Sequence, residues 1–307
     1  MIKATLQRKW FKFLRWAPLL SKEHFYKAFY KYYNNHELDL EDPKLINEKI
    51  TWMKMYLHDP MITTLADKVK VREFVKSRIG ESYLNEVYGI YKRPEDINWD
   101  DLPDQFVAKV NHSAGRNKII LDKSKVNRKE FNAFFRKYLK EDYYMRRGLE
   151  WAYKNIERRI LIEKLLVQPG MDDLIDYKFY CFNGEPDFVQ VNQHVDGVYF
   201  KDFMTLDWIP TIFKHSHRER TDAIPTRPEN FEEMIELAKK LTNGLPFVRC
   251  DFYNIAGKIV FGEMTFYPSD ARRQFEPYEY NRILGDKITL PKIPAGQKEI
   301  TDLGISY

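Results

Sequence analysis

Cysteine is nearly absent from this 307-residue chain: Cys181 and Cys250 stand alone, both in apolar, strand-like runs. Two thiols make no disulfide framework and no zinc set, so buried free thiols in a reducing compartment are expected. Long apolar runs are missing too, and nothing approaches the ~20 apolar residues of a membrane-spanning helix. No apolar stretch follows the basic residues at the N-terminus, which argues against a secretory signal and for a cytoplasmic protein. There is no internal repeat and no low-complexity tract. Neither G-x-G-x-x-G after a strand nor G-x-x-x-x-G-K-[ST] occurs, which leaves out the Rossmann fingerprint and the P-loop.

What the chain has in quantity is aromatic surface, with 20 Tyr and 21 Phe, beside 44% hydrophobic and 31% charged residues. That is the composition of a soluble globular protein with a real core, sized for one large domain or two ordinary ones. The formal charge of +5 is a slight excess, much of it at the N-terminus, and is not read as a nucleic-acid footprint. In residues 1–35, Trp10, Phe11, Phe13, Leu14 and Trp16 lie among Arg8, Lys9, Lys12 and Arg15. Such a basic aromatic helix either packs its rings on the body or lies on an anionic membrane surface, at the inner face of the membrane. Packing is preferred, because the apolar face is not cleanly segregated.

"NEKITWMKMY" and "LADKVKVREFVKSRIG" read as helices, the second running over 65–80 and stopping at Gly80. "QFVAKV" is a strand, "NHSAGRNK" a loop and "IILD" a strand. Asn127 opens a helix with Glu130 as its capping-box partner. "RRILIEKLLV" is a strand, and 175–193 a hairpin turning at Asn183-Gly184. An amphipathic helix at 227–244 precedes a second hairpin, 248–265. Antiparallel hairpins alternating with helices predict an α+β fold.

In that last hairpin, "VRCDFYNIAGKIVFGEMTF", Asp251 and Glu263 each interrupt an apolar strand. Strand side chains alternate, so Arg249 and Asp251 share one face, as do Glu263 and Thr265. A loop of about five residues around "NIAGK" places Arg249 opposite Glu263. Two close carboxylates repel unless a cation lies between them, and oxygen ligands of this kind suit Mg2+. A solvated strand pair bridged by Arg249 is the equal alternative. Lys109, late in a strand and ahead of small residues, fits a phosphate site, although such a lysine is more often merely solvated. His112 is placed to touch the same phosphates, although a lone loop histidine is more often structurally unremarkable. Glu163 and Lys164 interrupt another apolar strand, and Asp176 and Lys178 follow in the next. A strand edge and a nearby acid suit a purine nucleoside, and an edge strand with ordinary charges is the plainer reading. His215 and His217 in "KHSHRER" are read as a mobile basic loop, since no third ligand is near.

The order of these segments resembles the ATP-grasp superfamily. "NEKITWMKMY", "LADKVKVREFV", "FVAKVNHSAG", "DYKFYCFNGEP" and "FVRCDFYNIAGKIVFGEMTF" resemble its TupA-like family over about residues 45–290. That family belongs to capsule and cell-surface polysaccharide pathways. The resemblance implies two α+β subdomains clasping ATP, at 61–157 and 158–307, after a short helical segment at 1–60. It implies Lys68 and Lys109 at the phosphates, Ser113, Ala114 and Gly115 as the flap, and Glu163, Lys164 and Leu166 as the adenine hinge. It further implies Asp176 at the ribose with Lys178 nearby, Asp251, Glu263 and Thr265 as holders of Mg2+, and Arg249 and Lys109 in catalysis. Thr265 stands where many ATP-grasp proteins have Asn. The implied reaction is ATP-dependent joining of a carboxylate, on a glycan or sugar such as a uronic acid, to an amine or amino acid. A sugar kinase shares the same needs. A glycosyltransferase is the rival of another class, though no Asp-x-Asp occurs and the early chain is helical.

Overall fold

The computed structural model describes residues 21–146, 148–170, 173–215 and 224–307. The aromatic residues 10–16 lie outside them. Its main helices are α1 (Lys22–Asn34), α2 (Ile46–Tyr56), α3 (Pro60–Ala66), α4 (Val71–Ile79), α5 (Arg128–Leu139), α6 (Tyr143–Arg146), α7 (Phe231–Thr242) and α8 (Tyr280–Asp286). A smaller antiparallel sheet joins β1 (Val87–Tyr91), β2 (Phe106–Val110), β3 (Asn117–Ile120) and β4 (Ile160–Lys164) in the order β1-β4-β2-β3. A larger one orders β5 (Asp176–Phe182), β6 (Glu185–Val195), β7 (Val198–Thr205), β9 (Phe247–Ile255) and β10 (Lys258–Thr265) as β10-β9-β5-β6-β7. A separate pair joins β8 (Lys214–His215), which follows β7, to β11 (Phe275–Glu276), which follows β10. This is the expected α+β architecture.

Each sheet has its own core. Under the smaller sheet, Phe131 and Phe135 of α5 pack with Trp99, Phe106, Ile160 and Ile162. Asn127 caps α5: its side-chain oxygen accepts from the Glu130 N–H at 3.2 Å, and its amide donates to the Glu130 carboxylate at 2.9 Å. The larger core takes Phe179, Val189, Phe231, Leu237 and Phe252, and also Phe25, Tyr26, Ile50, Val71, Phe74 and Val75. Hence α1 is a packed helix along 22–34, and α4 belongs with the larger sheet. The cores therefore do not divide at residue 61, where the sequence reading drew the first subdomain boundary.

Two local departures build the site. The expected helix over 65–80 is broken at 67–70, because Asp67 ends α3 and its carboxylate accepts the Val69 N–H at 2.9 Å. Side-chain competition for backbone donors is what makes Asp a helix breaker. The break turns Lys68 out of helical register. In the second hairpin the turn has two residues, Ala256 and Gly257, both left-handed (φ 49° and 83°), rather than five. That register pairs Phe252 with Phe261 and would face Glu263 toward the core beside Cys250. A bulge between Phe261 and Glu263 corrects it, so Glu263 lies opposite Asp251 and Thr265 opposite Arg249. Arg249 therefore no longer stands directly opposite Glu263, although its Nη2 still lies 3.7 Å from Glu263 Oε1, as a neighbour on the same face.

Gly262 makes the bulge possible. A Cβ there would sit 3.0 Å from the Asp251 carbonyl oxygen, which is backbone and cannot rotate away. Gly262→Ala is expected to cost about 1–3 kcal/mol, the usual penalty of overpacking. Urea unfolding measures it, and an unchanged midpoint would show that the bulge tolerates a side chain.

Candidate active site

Register across the larger sheet sets out the charged face in rows. Glu263, Asp251, Lys178 and Gln190 are successive cross-strand partners, and so are Thr265, Arg249 and Tyr180. Asp176 pairs with Tyr253 and Asn192 in the next row. Asp251 is at the centre, its side chain 3% exposed. Arg249 donates to both of its oxygens, Nε to Oδ1 at 2.7 Å and Nη2 to Oδ2 at 2.6 Å. Lys178 Nζ reaches Oδ2 at 2.9 Å and Asp176 at 3.3 Å. Lys68 Nζ reaches Glu263 Oε2 at 2.9 Å. Thr265 Oγ1 donates to Glu263 Oε1 at 3.3 Å and accepts from Arg249 at 3.1 Å. Three carboxylates thus face three cations, and the cluster is neutral as a whole.

The charges move one another's protonation. Burial raises the Glu263 carboxyl, but Lys68, Arg249 and Lys178 outweigh it and hold the group well below the usual carboxylate range. Burial lowers the Lys178 ammonium, and Asp251 and Asp176 reverse this and raise it. Asp176 is raised, by burial first. Glu263 is therefore anionic throughout the physiological range, the state in which an oxygen can hold a cation or be held by one.

These groups open onto a cleft of about 280 Å3 between the two sheets. From the smaller sheet come Lys109, Ser113, Ala114, Gly115 and Glu163; from the larger body come Lys68, Leu166, Asp176, Lys178, Asp251 and Glu263. Lys109 hydrogen-bonds Glu163 across β2 and β4. Most of the residues singled out in the sequence thus share one cavity.

Four do not line it. Arg249 and Thr265 lie one row behind Asp251 and Glu263 and act on the cleft through them. The Lys164 side chain points away from the cleft to Glu86, at 3.6 Å. His112, expected at the phosphates, is instead buried at 2% exposure with Nε2 on the Glu141 carbonyl at 3.2 Å. Burial, with the nearby charge of Arg158, lowers its ring to about 4, so it is neutral at physiological pH. His215 is likewise no loop residue: it is buried in β8, stacked on Phe275, and lowered by burial to about 3. His217 lies outside the described residues.

The sequence reading missed two cations of the cleft, Arg72 and Arg116. Arg72 donates to the Asn85 carbonyl at 2.6 Å, and Arg116 lies over the Tyr138 ring, 3.3 Å from Glu141. Arg116 directly follows Gly115 in the loop already singled out, which was the available signal.

The TupA-like ATPgrasp family model matches residues 48–289. The chain belongs to this family. The TupA-like match takes in both sheets and every cleft residue named above. No curated protein matches the sequence. Among solved structures, the chain is similar to D-alanine–D-alanine ligase from Bacillus anthracis complexed with ATP (15% identity, TM-score 0.39, 67% of this chain and 55% of that one). It is also similar to the ATP-grasp ligase PsnB with its minimal precursor, Mg and ADP (12%, 0.39, 78% and 63%). A third is N5-carboxyaminoimidazole synthetase from Staphylococcus aureus with ADP (14%, 0.39, 74% and 52%). In each case the match spans less than two thirds of the solved chain. Among the described residues no helix is long and apolar enough to cross a membrane.

Proposed function

We propose that the protein is an ATP- and Mg2+-dependent carboxylate–amine ligase. The observation that carries the reading is the Asp251–Glu263 pair, set opposite each other by the Gly262 bulge and facing a cleft edged by Lys68, Lys109 and the loop at 113–115. Family membership supports ATP as the nucleotide.

The donor set fits a divalent cation. Asp251 Oδ2 accepts twice, but Oδ1 accepts only from Arg249 and keeps a lone pair. Glu263 is partly exposed, and Lys68 occupies one of its oxygens. Among the described residues no three His, Cys, Asp or Glu side chains form a metal cage. Mg2+ needs none, since it binds through one or two carboxylates together with phosphate oxygens and water. Asp251 and Glu263 would hold it, with Thr265 as the weakest donor because its hydroxyl already serves Arg249 and Glu263. When bound, it neutralises charge on the phosphate oxygens during transfer.

The chain's own residues do the rest. Lys109 and Lys68 attract the triphosphate, and backbone N–H groups of the 113–115 loop approach it where small side chains leave room. A substrate carboxylate oxygen attacks the γ-phosphorus, the bond to ADP breaks, and ADP leaves with the electron pair. An amine then attacks the acyl carbon and phosphate leaves; the amine proton passes to solvent. Arg249, one row behind the cleft and fixed by two bonds to Asp251, would act on the reacting groups through that carboxylate, holding it in place and balancing its charge. A uronic acid of a cell-surface polysaccharide and an amino acid or amine are the proposed substrates, at the cytoplasmic face of the membrane. That assignment follows from the family's pathway context.

The test is incubation with MgATP, candidate uronic acids and hydroxylamine. Release of ADP together with a trapped hydroxamate is expected. A stable sugar phosphate would make the protein a kinase, and turnover of a UDP-sugar without ATP would make it a glycosyltransferase.

A further inference from the structure

Asn111 follows β2 at the start of the loop that edges the cleft, and it is fully buried. Its side chain spends both ends of its amide. Nδ2 donates to Asp67 Oδ1 at 2.7 Å and to the Glu157 carbonyl at 2.9 Å, and Oδ1 accepts from the Arg159 N–H at 2.8 Å. Its backbone does the same: the carbonyl accepts from the Lys68 N–H at 3.3 Å, and the N–H donates to the Arg159 carbonyl at 3.1 Å. Asp67 and Lys68 lie between α3 and α4, whose apolar residues belong to the larger core, whereas β2 belongs to the smaller. One asparagine therefore joins the loop of the smaller sheet to the turn that presents Lys68 from the larger body. Asp67 is buried at 2% exposure, and burial raises its carboxyl in spite of the hydrogen bonds it accepts. Such a buried acid is costly unless its partners are in place.

We propose that Asp67 and Asn111 form a positioning latch that holds the 112–116 loop at a fixed offset from Lys68, so that both meet the same polyphosphate. Neither residue lines the cleft; they act through Lys68 and through the loop. The proposal rests on the nucleotide-binding reading of the cleft.

Asp67 has two roles that can be separated. Its carboxylate caps Val69 and also receives Asn111. Asp67→Ser keeps a short oxygen for the cap and loses the reach to Asn111, whereas Asp67→Asn keeps both. Calorimetric titration with MgADP is expected to show about tenfold weaker binding for Asp67→Ser and for Asn111→Ala, as one buried hydrogen bond in a rigid site allows. Asp67→Asn should stay within about threefold of wild type. The double variant Asp67→Ser/Asn111→Ala should be no weaker than the worse single one, because the two act as a unit. Folded single variants with wild-type affinity, or losses that simply multiply, would overturn the latch. Amide hydrogen exchange without nucleotide gives a readout independent of ligand. Loop amides at 112–117 should exchange faster in Asp67→Ser, while those of β5 and β9 do not change; equal rates in the loop would also overturn it. If the wild-type protein fails to bind MgADP, the nucleotide reading falls, and the exchange experiment still judges the latch.

Discussion

Glu263→Gln is expected to lower MgATP-dependent ADP release on the order of 10³-fold while leaving the protein folded. The substitution keeps shape and removes one of the two carboxylates available to a cation. On the proposed reading, a cation held here would supply several kcal/mol of transition-state stabilisation, which is about three powers of ten in rate. Folding should tolerate the change because the Glu263 side chain is 31% exposed and its partner Lys68 lies at the cleft edge. Asp251→Asn should lose rate as much or more, but for two reasons at once. Asp251 is buried, and it neutralises both Arg249 and Lys178. Removing its charge leaves two buried cations facing each other, and breaking such an arrangement costs about 3–5 kcal/mol. The two variants therefore differ in degree of destabilisation: Glu263→Gln gives up the charge that Lys68 and Arg249 hold at a part-exposed position and should lower the urea midpoint modestly, and Asp251→Asn should lower it much more. Wild-type ADP release by Glu263→Gln would remove the metal assignment altogether.

The difference between these two acids was not legible in the sequence. Alternation placed Asp251, Glu263, Thr265 and Arg249 on one face, and that much follows from a period of two. Which residue opposes which depends on turn length and on a bulge, and both depend on backbone sterics at Ala256, Gly257 and Gly262. A single glycine in a strand signals a bulge without giving its register. Lys68 shows the same limit. The apolar spacing of 65–80 has a helical period, but Asp67 can satisfy Val69 only once the chain has turned, and its bond to Asn111 needs a strand from elsewhere. Four strands went unread for other reasons, and of these β8 and β11 are two-residue pairings too short to show a period. In β1, "VYGIY", Gly89 interrupts the β-branched run. β7 follows an Asp196-Gly197 turn, both residues left-handed, which is itself a hairpin signal. His112 was placed at the phosphates by its position in the loop. Its direction is set by the Glu141 carbonyl, a tertiary partner that spacing cannot reveal.

Lys54→Met should be strongly destabilising although it lies outside the cleft, at about 3–5 kcal/mol, read as a lowered urea midpoint. Lys54 is 1% exposed, and its ammonium donates to Asp270 twice, to Oδ1 at 2.5 Å and to the carbonyl at 2.9 Å. Asp270 Oδ2 accepts the Gly148 N–H at 2.9 Å, and a side chain on Gly148 would collide with Asp270 at 2.4 Å. The pair also holds an unfavourable backbone. Ser269, Asp270 and Ala271 are all left-handed, with φ of 52°, 62° and 54°, and each such residue other than glycine costs about 1–2 kcal/mol. This turn follows β10 within a few residues of Thr265, so the ion pair anchors the end of the strand that carries Glu263. Methionine fills the volume of the lysine stem but leaves the buried Asp270 charge with the more distant Arg272, 3.6 Å from Oδ2, in place of the ammonium bound at Oδ1. Lys54→Met/Asp270→Asn removes both charges, and asparagine tolerates the left-handed region and can still accept from Gly148. The double variant should therefore recover much of the loss. If Lys54→Met alone unfolds at the wild-type urea concentration, the pair is not what holds the turn. If the double variant is as unstable as the single one, the loss comes from packing around the lysine stem and not from the stranded carboxylate.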